Sequence, residues 1–417
     1  KRNFIKTLGA LSFSPLVSAN ELSKIKQISD KLPIIDDDEL LWKTIRSHYT
    51  LKDDYINLES GYYNIIPNPV LEHFINHVKH VNIEGSHYMR YELKKNKDRV
   101  ISELAELVGS TPDQLGITRN ATESLDLIIS GFPWKKGDEA IYAKQDYGTM
   151  KEMFEQVSDR YGTVNKIVSV PNHPKNDQEI VSLYESQITS NTKLIMICHM
   201  INITGQILPV KKICEMAHNY GVEVMVDGAH CVGHFDFSID EFNCDYYGSS
   251  LHKWLATPLG AGLLYINKNN THKIWPLLAN GNTNKNDIKR LNHIGTHPVH
   301  TDLAISNSID YIKWIGMRKK EERMRFLQRY WSDKLRGFKN VIVNTPEDNH
   351  RSCGIANVGL TNMSPSDMAK TLFKKYKIFT VAIDYANVKG CRISPNIFTT
   401  TKELDHFIGA VKEMSIS

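Results

Sequence analysis

Lys253 lies in Ser249-Ser250-Leu251-His252-Lys253-Trp254-Leu255, and Pro258, Gly260 and Gly262 follow it. Most lysines are solvated and carry no chemistry. This one sits among apolar and glycine residues ahead of a strand-like run, so it is expected to be desolvated. Desolvation disfavours the ammonium form and lowers the pKa. A neutral amine can attack an aldehyde and form an imine, the Schiff-base step of covalent amine catalysis. Asp227 lies 26 residues earlier, at the end of the apolar run Val222 to Val226. In open α/β sheets that edge is where ligands bind. A carboxylate there can hold a pyridine nitrogen protonated and make the ring an electron sink. An Asp-Gly pair is also an ordinary turn, so it is the lysine downstream that favours the functional reading.

A third segment, Thr118-Arg119-Asn120-Ala121-Thr122-Glu123-Ser124, precedes the apolar run Leu125 to Ile129. It reads as a strand-to-helix turn whose free N–H groups and small hydroxyls suit a phosphate. A plain helix cap by Asn120 or Thr122 would use the same residues.

The elements that would position these groups alternate between helix and strand, as in a parallel α/β sheet. Glu103–Val108 falls in a helical pattern, and Ala140-Ile141-Tyr142, Leu194–Ile197, Val222–Val226 and Gly262–Ile266 read as strands. Val210–Tyr220 reads as a helix ended by Gly221. After about residue 303 the texture changes. Ala304–Leu335 gives one long helical pattern, with the Arg318–Arg323 charge run as its solvated face. Strands follow at Val341–Val343, Cys353–Val358 and Phe379–Ile383, with helices over Ser364–Tyr376 and Lys402–Met414. The expected organisation is residues 20–60 joining a small α+β domain, 61–303 as a large domain with a mostly parallel sheet, and 304–417 completing the small domain.

At this point the chain resembles the class V aminotransferases of the fold-type-I pyridoxal-phosphate (PLP) enzymes, and within them the isopenicillin N epimerase-type proteins. His252-Lys253-Trp254-Leu255 with Pro-x-Gly-x-Gly carries the most specific part. His199-Met200-Ile201-Asn202-Ile203-Thr204-Gly205, Asp227-Gly228-Ala229-His230, Gly295-Thr296 and Arg392-Ile393-Ser394-Pro395 match further segments, over about residues 57–398. The resemblance implies that Lys253 carries the cofactor as a Schiff base and moves protons at Cα. It implies that Asp227 pairs with the pyridinium nitrogen and that Asn202 and His230 bond near the ring hydroxyl. Ala121, Thr122, Ser250 and His252 would hold the phosphate, and Tyr147 would stack on the ring where many relatives have histidine. Thr296 would reach the phosphate of a neighbouring subunit, which implies a homodimer with shared active sites. Arg392 would take the substrate carboxylate, which suits its bidentate fork.

The reaction is less specified than the cofactor. Epimerisation, transamination and elimination all begin by weakening a bond at Cα, and the fold hosts many chemistries. Cysteine desulfurases place a nucleophilic cysteine on a loop before the C-terminal arginine, but residues 374–390 contain none; Cys391 adjoins Arg392 and Cys353 lies far upstream. A thiol-dependent desulfurase is therefore not expected, while a PLP C–S lyase without that cysteine stays open. A catalytically silent relative used for binding is the reading of another class, and intact Lys253, Asp227 and Arg392 argue against it. Tyr62, Tyr63, His87, Tyr88 and Arg90 lie where the substrate mouth often forms in this fold, though packing aromatics would look the same.

An amino acid or small peptide-like substrate is what the resemblance implies, and the bulk numbers bound the other partners. With 51 Lys and Arg against 47 Asp and Glu the net charge is +4, and Lys1, Arg2 and Lys6 supply three of those charges. The nearly neutral remainder gives no electrostatic case for nucleic acid or an anionic membrane. Residues 1–19 combine that basic start with an apolar stretch and Val17-Ser18-Ala19, which reads as a Tat-like export signal with lysine in the first paired position. It is too short and too polar to span a bilayer. A periplasmic or exported location is expected, with a cytoplasmic one as the alternative. None of the six cysteines forms a CxxC pair, so neither zinc nor a disulfide framework is indicated. No metal is expected at His230/His234, which lack the Glu of HExxH, or in the His293, His297, His300 loop.

Overall fold

The computed structural model describes Ile28 and residues 32–416. The expected export segment lies outside the described residues.

The chain opens with α1 (Asp38–Ser47), capped by the Asp37 carboxylate, and the short strand β1 (Ile56–Asn57). Then come α2 (Asn68–Glu84), one π-helical turn at Tyr88–Glu92 and α3 (Leu93–Val108). The central part alternates as expected: β2 (Leu115–Thr118), α4 (Ala121–Gly131), β3 (Glu139–Ala143), α5 (Gly148–Tyr161), β4 (Val164–Val168), α6 (Asp177–Glu185), β5 (Thr192–Cys198), α7 (Val210–Asn219), β6 (Glu223–Asp227), the one-turn α8 (Ile239–Phe242), β7 (Tyr246–Ser250) and β8 (Gly262–Ile266). The remainder is α9 (Val299–Ile315), α10 (Met317–Leu335), β9 (Val341–Val343), β10 (Ala356–Leu360), α11 (Pro365–Tyr376), β11 (Ile378–Phe379), β12 (Val381–Tyr385), β13 (Val388–Ile393) and α12 (Thr401–Ile416).

Seven strands form one sheet in the order β2-β8-β7-β6-β5-β3-β4. All neighbours are parallel except β8, which runs antiparallel to β2 and β7. Helices cover both faces, so the central strands are apolar on both sides. Leu194, Ile195, Met196 and Ile197 of β5 are all fully buried. Removing one such side chain to alanine costs about 2–5 kcal/mol. A parallel sheet ends its strands on one edge. Here Ala143, Cys198, Asp227 and Ser250 end β3, β5, β6 and β7, and Thr118 ends β2 directly opposite Gly262. A Cβ on Gly262 would stand 2.6 Å from the Asn120 backbone. Only glycine lets β8 pass so close to the β2–α4 turn.

A second, antiparallel sheet has the order β12-β13-β10-β9. β1 pairs in parallel with β11, which brings the N-terminal segment onto this C-terminal layer. The chain then continues beside β13: the Ser394 amide donates to Leu58 O at 2.8 Å and the Ser60 amide to Ser394 O at 3.1 Å.

Three local expectations differ from the structure. The single helix over Ala304–Leu335 is two helices, broken at Gly316 with φ +88°. α9 packs on α2 and α3, whereas α10 packs on α12 and the small sheet, so the chain changes layers where glycine permits that φ. The Arg318–Arg323 run is not wholly a solvated face. Lys320 is buried and donates to the Trp254 carbonyl at 2.6 Å. The strand expected over Phe379–Ile383 is two short strands with different partners, β1 for one and β13 for the other.

Candidate active site

The strand ends enclose a cavity of about 330 Å³. Lys253, Asp227, His230, Ala121, Thr122, Tyr147, Asn202, Ser250, His252 and Arg392 all line it. Residues from five strand ends and from β13 thus converge, although they span most of the chain. Thr296 does not line the cavity; it lies exposed in the loop before α9.

The Lys253 amine is 2.9 Å from His230 Nε2. Burial lowers its pKa to about 8; Asp227 opposes that shift and Arg392 adds to it. His230 is held well below the usual imidazole value, again mainly by burial and then by Lys253, so its ring is neutral. The Trp254 indole donates to His230 Nδ1 at 3.3 Å. An indole N–H can only donate, so Nδ1 must offer its lone pair and the ring proton resides on Nε2. That Nε2–H then donates to the lysine nitrogen, which needs a free lone pair there. The Trp254–His230–Lys253 chain therefore favours the neutral, nucleophilic amine, as the desolvation argument anticipated.

Asp227 is 6% exposed, and its Oδ1 accepts from the Ala229 amide at 2.9 Å. Burial raises its pKa. A buried carboxylate with one local donor and an open side toward a cavity suits a cationic ring nitrogen, which would restore the anion. Behind it lies Asp146, fully buried, with its pKa pushed up to about 7, chiefly by burial. Asp146 was not anticipated, although it precedes the Tyr147 singled out from sequence.

The helix α4 points its N-terminus at the opposite end. Asn120 caps it by accepting from the Glu123 amide, and the Ala121 amide reaches Ser250 Oγ at 2.9 Å. Asn120 thus caps the helix, and Ala121 and Thr122 still line the cavity. Burial lowers the His252 pKa to about 4. Asn202 Oδ1 is buried without a hydrogen-bond partner. Buried polar atoms normally find partners, so this orphan on the cavity wall marks where a polar ligand belongs. A helix N-terminus with hydroxyls at one end, a carboxylate at the other, a lysine between them and Tyr147 at the rim fit a phosphorylated pyridine aldehyde.

Arg392 was expected to offer its fork to a substrate. Part of that fork is already engaged: Nε and Nη2 bond Glu59 at 3.0 and 2.6 Å, and Nη1 reaches Asn202 O at 3.3 Å. Sequence reading missed Glu59 because its partner is 333 residues away. Of the five residues expected near the mouth, Tyr62 lines the cavity and the Tyr63 ring stands 6.3 Å from His252. Tyr88 is instead fully buried against Val299 and Leu303. His87 and Arg90 are not among the cavity-lining residues; His87 pairs with Glu84 at 3.3 Å.

The histidines considered for zinc serve other bonds. His234 Nε2 accepts from the Gly354 amide, and His297 pairs with Asp302. All six cysteines are buried and unpaired. Cys391 and Cys353 lie in packed interiors rather than on a mobile loop.

The sheet and this cavity define a fold-type-I, PLP-dependent enzyme. Residues 65–407 match the model of the aminotransferase class-V family, and the chain belongs to that family. It is 25% identical over 391 residues to an isopenicillin N epimerase of Streptomyces clavuligerus, covering 90% of this chain and 98% of that protein. It is 24% identical to a probable cysteine desulfurase of Halobacterium salinarum, over 87% of this chain and 92% of the relative. Among solved structures it resembles an apo cysteine desulfurase from Thermococcus onnurineus, with TM-score 0.80, 19% identity, and coverage of 90% and 98%. A cystine C–S lyase in complex with cysteine persulfide gives TM-score 0.76 at 18% identity, covering 86% and 97%. Among the described residues no helix is long and apolar enough to cross a membrane.

Proposed function

We propose that this PLP-dependent enzyme acts at the α-carbon of an amino acid or small peptide-like substrate by moving a proton there, as an epimerase- or transaminase-type catalyst. The hydrogen-bonded chain Trp254–His230–Lys253, which keeps the lysine amine neutral, carries this reading. PLP, when bound, draws electrons from Cα and so weakens the bonds to it. Lys253 then carries the proton to and from Cα on its face of the cavity. Asp227 would hold a proton on the ring nitrogen, and His230 and Asn202 would bond at the ring hydroxyl. Ala121, Thr122, Ser250 and His252 anchor the phosphate. Tyr147, at the rim of the cavity, would stack on the ring. Arg392 receives the substrate carboxylate. Thr296, exposed in its loop, serves the phosphate of a second copy, so the working unit is a homodimer. Export through the residue 1–19 segment completes this reading.

The alternative is PLP-dependent C–S bond cleavage. The likeness to a cystine C–S lyase supports it, as does the absence of a thiol between residues 374 and 390, which argues against persulfide transfer to the enzyme. Incubation of the holoenzyme with L- and D-amino acids in D₂O separates the two. Deuterium at Cα with inverted chirality or a keto acid supports proton transfer. Sulfide and pyruvate from cystine or cysteine, with no exchange in other substrates, would replace it by the lyase reading.

A further inference from the structure

Arg392 and Glu59 form an ion pair whose side chains are 7% and 3% exposed. The carboxylate is saturated. Oε1 accepts from Arg392 Nη2, from the Gly61 amide at 3.0 Å and from the Tyr62 amide at 2.9 Å. Oε2 accepts from Arg392 Nε at 3.0 Å and lies 3.4 Å from Ser394 Oγ. Glu59 itself does not line the cavity, whereas Arg392, Gly61 and Tyr62 do. A Cβ on Gly61 would meet Arg392 Cζ at 3.2 Å, so the backbone at Gly61 packs closely against the guanidinium.

The guanidinium therefore gives its Nε/Nη2 side to Glu59, Nη1 also reaches Asn202 O at 3.3 Å, and what remains of the Nη1/Nη2 edge is left for a ligand. A planar fork with one edge committed can still accept one more carboxylate, end on. Its positive charge is by then shared. One cation faces the Glu59 carboxylate and the substrate carboxylate together. A further negative charge on the substrate then meets the Glu59 and substrate carboxylates without a second cation to offset it, which is unfavourable in a low-dielectric site.

We infer that Glu59 is a specificity-determining and positioning residue: it aims the open edge of Arg392 at a single α-carboxylate and excludes substrates with a second negative charge near Cα. The substrate class is thus amino acids with an uncharged side chain. This inference rests on the proposed reaction at an amino-acid α-carbon.

L-asparagine and L-aspartate are matched in size and differ by one charge, so they serve as probes. Their dissociation constants are read by calorimetry on the PLP-loaded enzyme, for wild type, Glu59→Gln and Glu59→Asp. A unit charge acting over about 8 Å at an effective dielectric of about 30 changes affinity about tenfold. Wild type is expected to prefer asparagine by about tenfold or more. Glu59→Gln keeps an acceptor for Arg392 but removes the charge, and is expected to narrow that preference about tenfold. Glu59→Asp keeps the charge and should retain the preference while weakening both ligands. A second readout is the titration of Lys253 without cofactor. Arg392 lowers that pKa and Glu59 raises it, so Glu59→Gln should move it below about 8. Equal binding of the two amino acids to wild type overturns the proposal, as does an unchanged ratio in Glu59→Gln. Failure of both to bind a PLP-loaded wild type also overturns it, whereas failure to take up PLP would instead sink the enzyme reading beneath it.

Discussion

Trp254→Phe tests the proton inventory that makes Lys253 a nucleophile. The indole is fully buried, stacks on His234 with ring centres 3.8 Å apart, and donates to His230 Nδ1. Phenylalanine preserves most of the packing and removes the donor. His230 is then free to carry its proton on Nδ1 and offer Nε2 as an acceptor, and an acceptor beside Lys253 favours the ammonium. Exchanging a donated for an accepted bond in a buried site is worth about 1–2 kcal/mol, or about one pKa unit upward. The wild-type value is about 8. Near pH 7.5 a shift of that size lowers the neutral fraction, and hence the rate of cofactor capture by the apo-protein, by about eightfold. Stopped-flow absorbance across pH reads that rate directly. The wild-type rate should rise with a midpoint near pH 8, and the variant's midpoint should lie about a unit higher. A variant whose melting temperature falls but whose pH midpoint stays put would refute the tautomer argument and leave Trp254 as packing alone.

Asp227→Ala should still bind PLP through Lys253 but lose its hold on the ring nitrogen, slowing α-proton exchange at least about a hundredfold, as loss of an electrostatic stabiliser does; exchange in D₂O measures this. Lys320→Met should stabilise the protein at pH 6. Burial depresses the lysine to about 7 from an ordinary 10.5, so the folded state binds fewer protons than the unfolded one between those values, and wild-type stability rises with pH there. The variant's gain, about 1–3 kcal/mol by analogy with other buried charges, should shrink by pH 9; urea melts at both pH values test it, and a pH-independent difference contradicts it. Thr296→Val should weaken PLP retention about three- to tenfold through one lost hydrogen bond. Sedimentation should show a dimer in both forms, and a monomeric wild type that retains PLP would remove the shared-site proposal.

The local parts of this enzyme were legible where chemistry and element boundaries coincide. Asp227 ends β6, the Asn120 turn opens α4, and Lys253 follows β7, so strand ends and reactive side chains could be read together. Pairings between distant segments were not legible. Glu59 meets Arg392 only because β1 adds to β11 and carries residues 58–60 alongside Ser394. Nothing local marks Glu59 as buried. Lys320 looked like one more charge on a basic helix, and only the packing of α10 behind the Lys253 loop shows otherwise. Asp146 likewise gains its significance from lying beneath the sheet edge. The break at Gly316 was visible as a residue, but amphipathic periodicity continues on both sides of it and masks the change of layer.

The most direct test of the Lys253 assignment is the absorbance spectrum of purified, PLP-supplemented wild type beside Lys253→Ala, each followed by borohydride reduction and peptide mapping. A long-wavelength cofactor band in wild type only, with the reduced label on Lys253, is the expected result. A wild type that shows no such band, or a label on any other lysine, would contradict it.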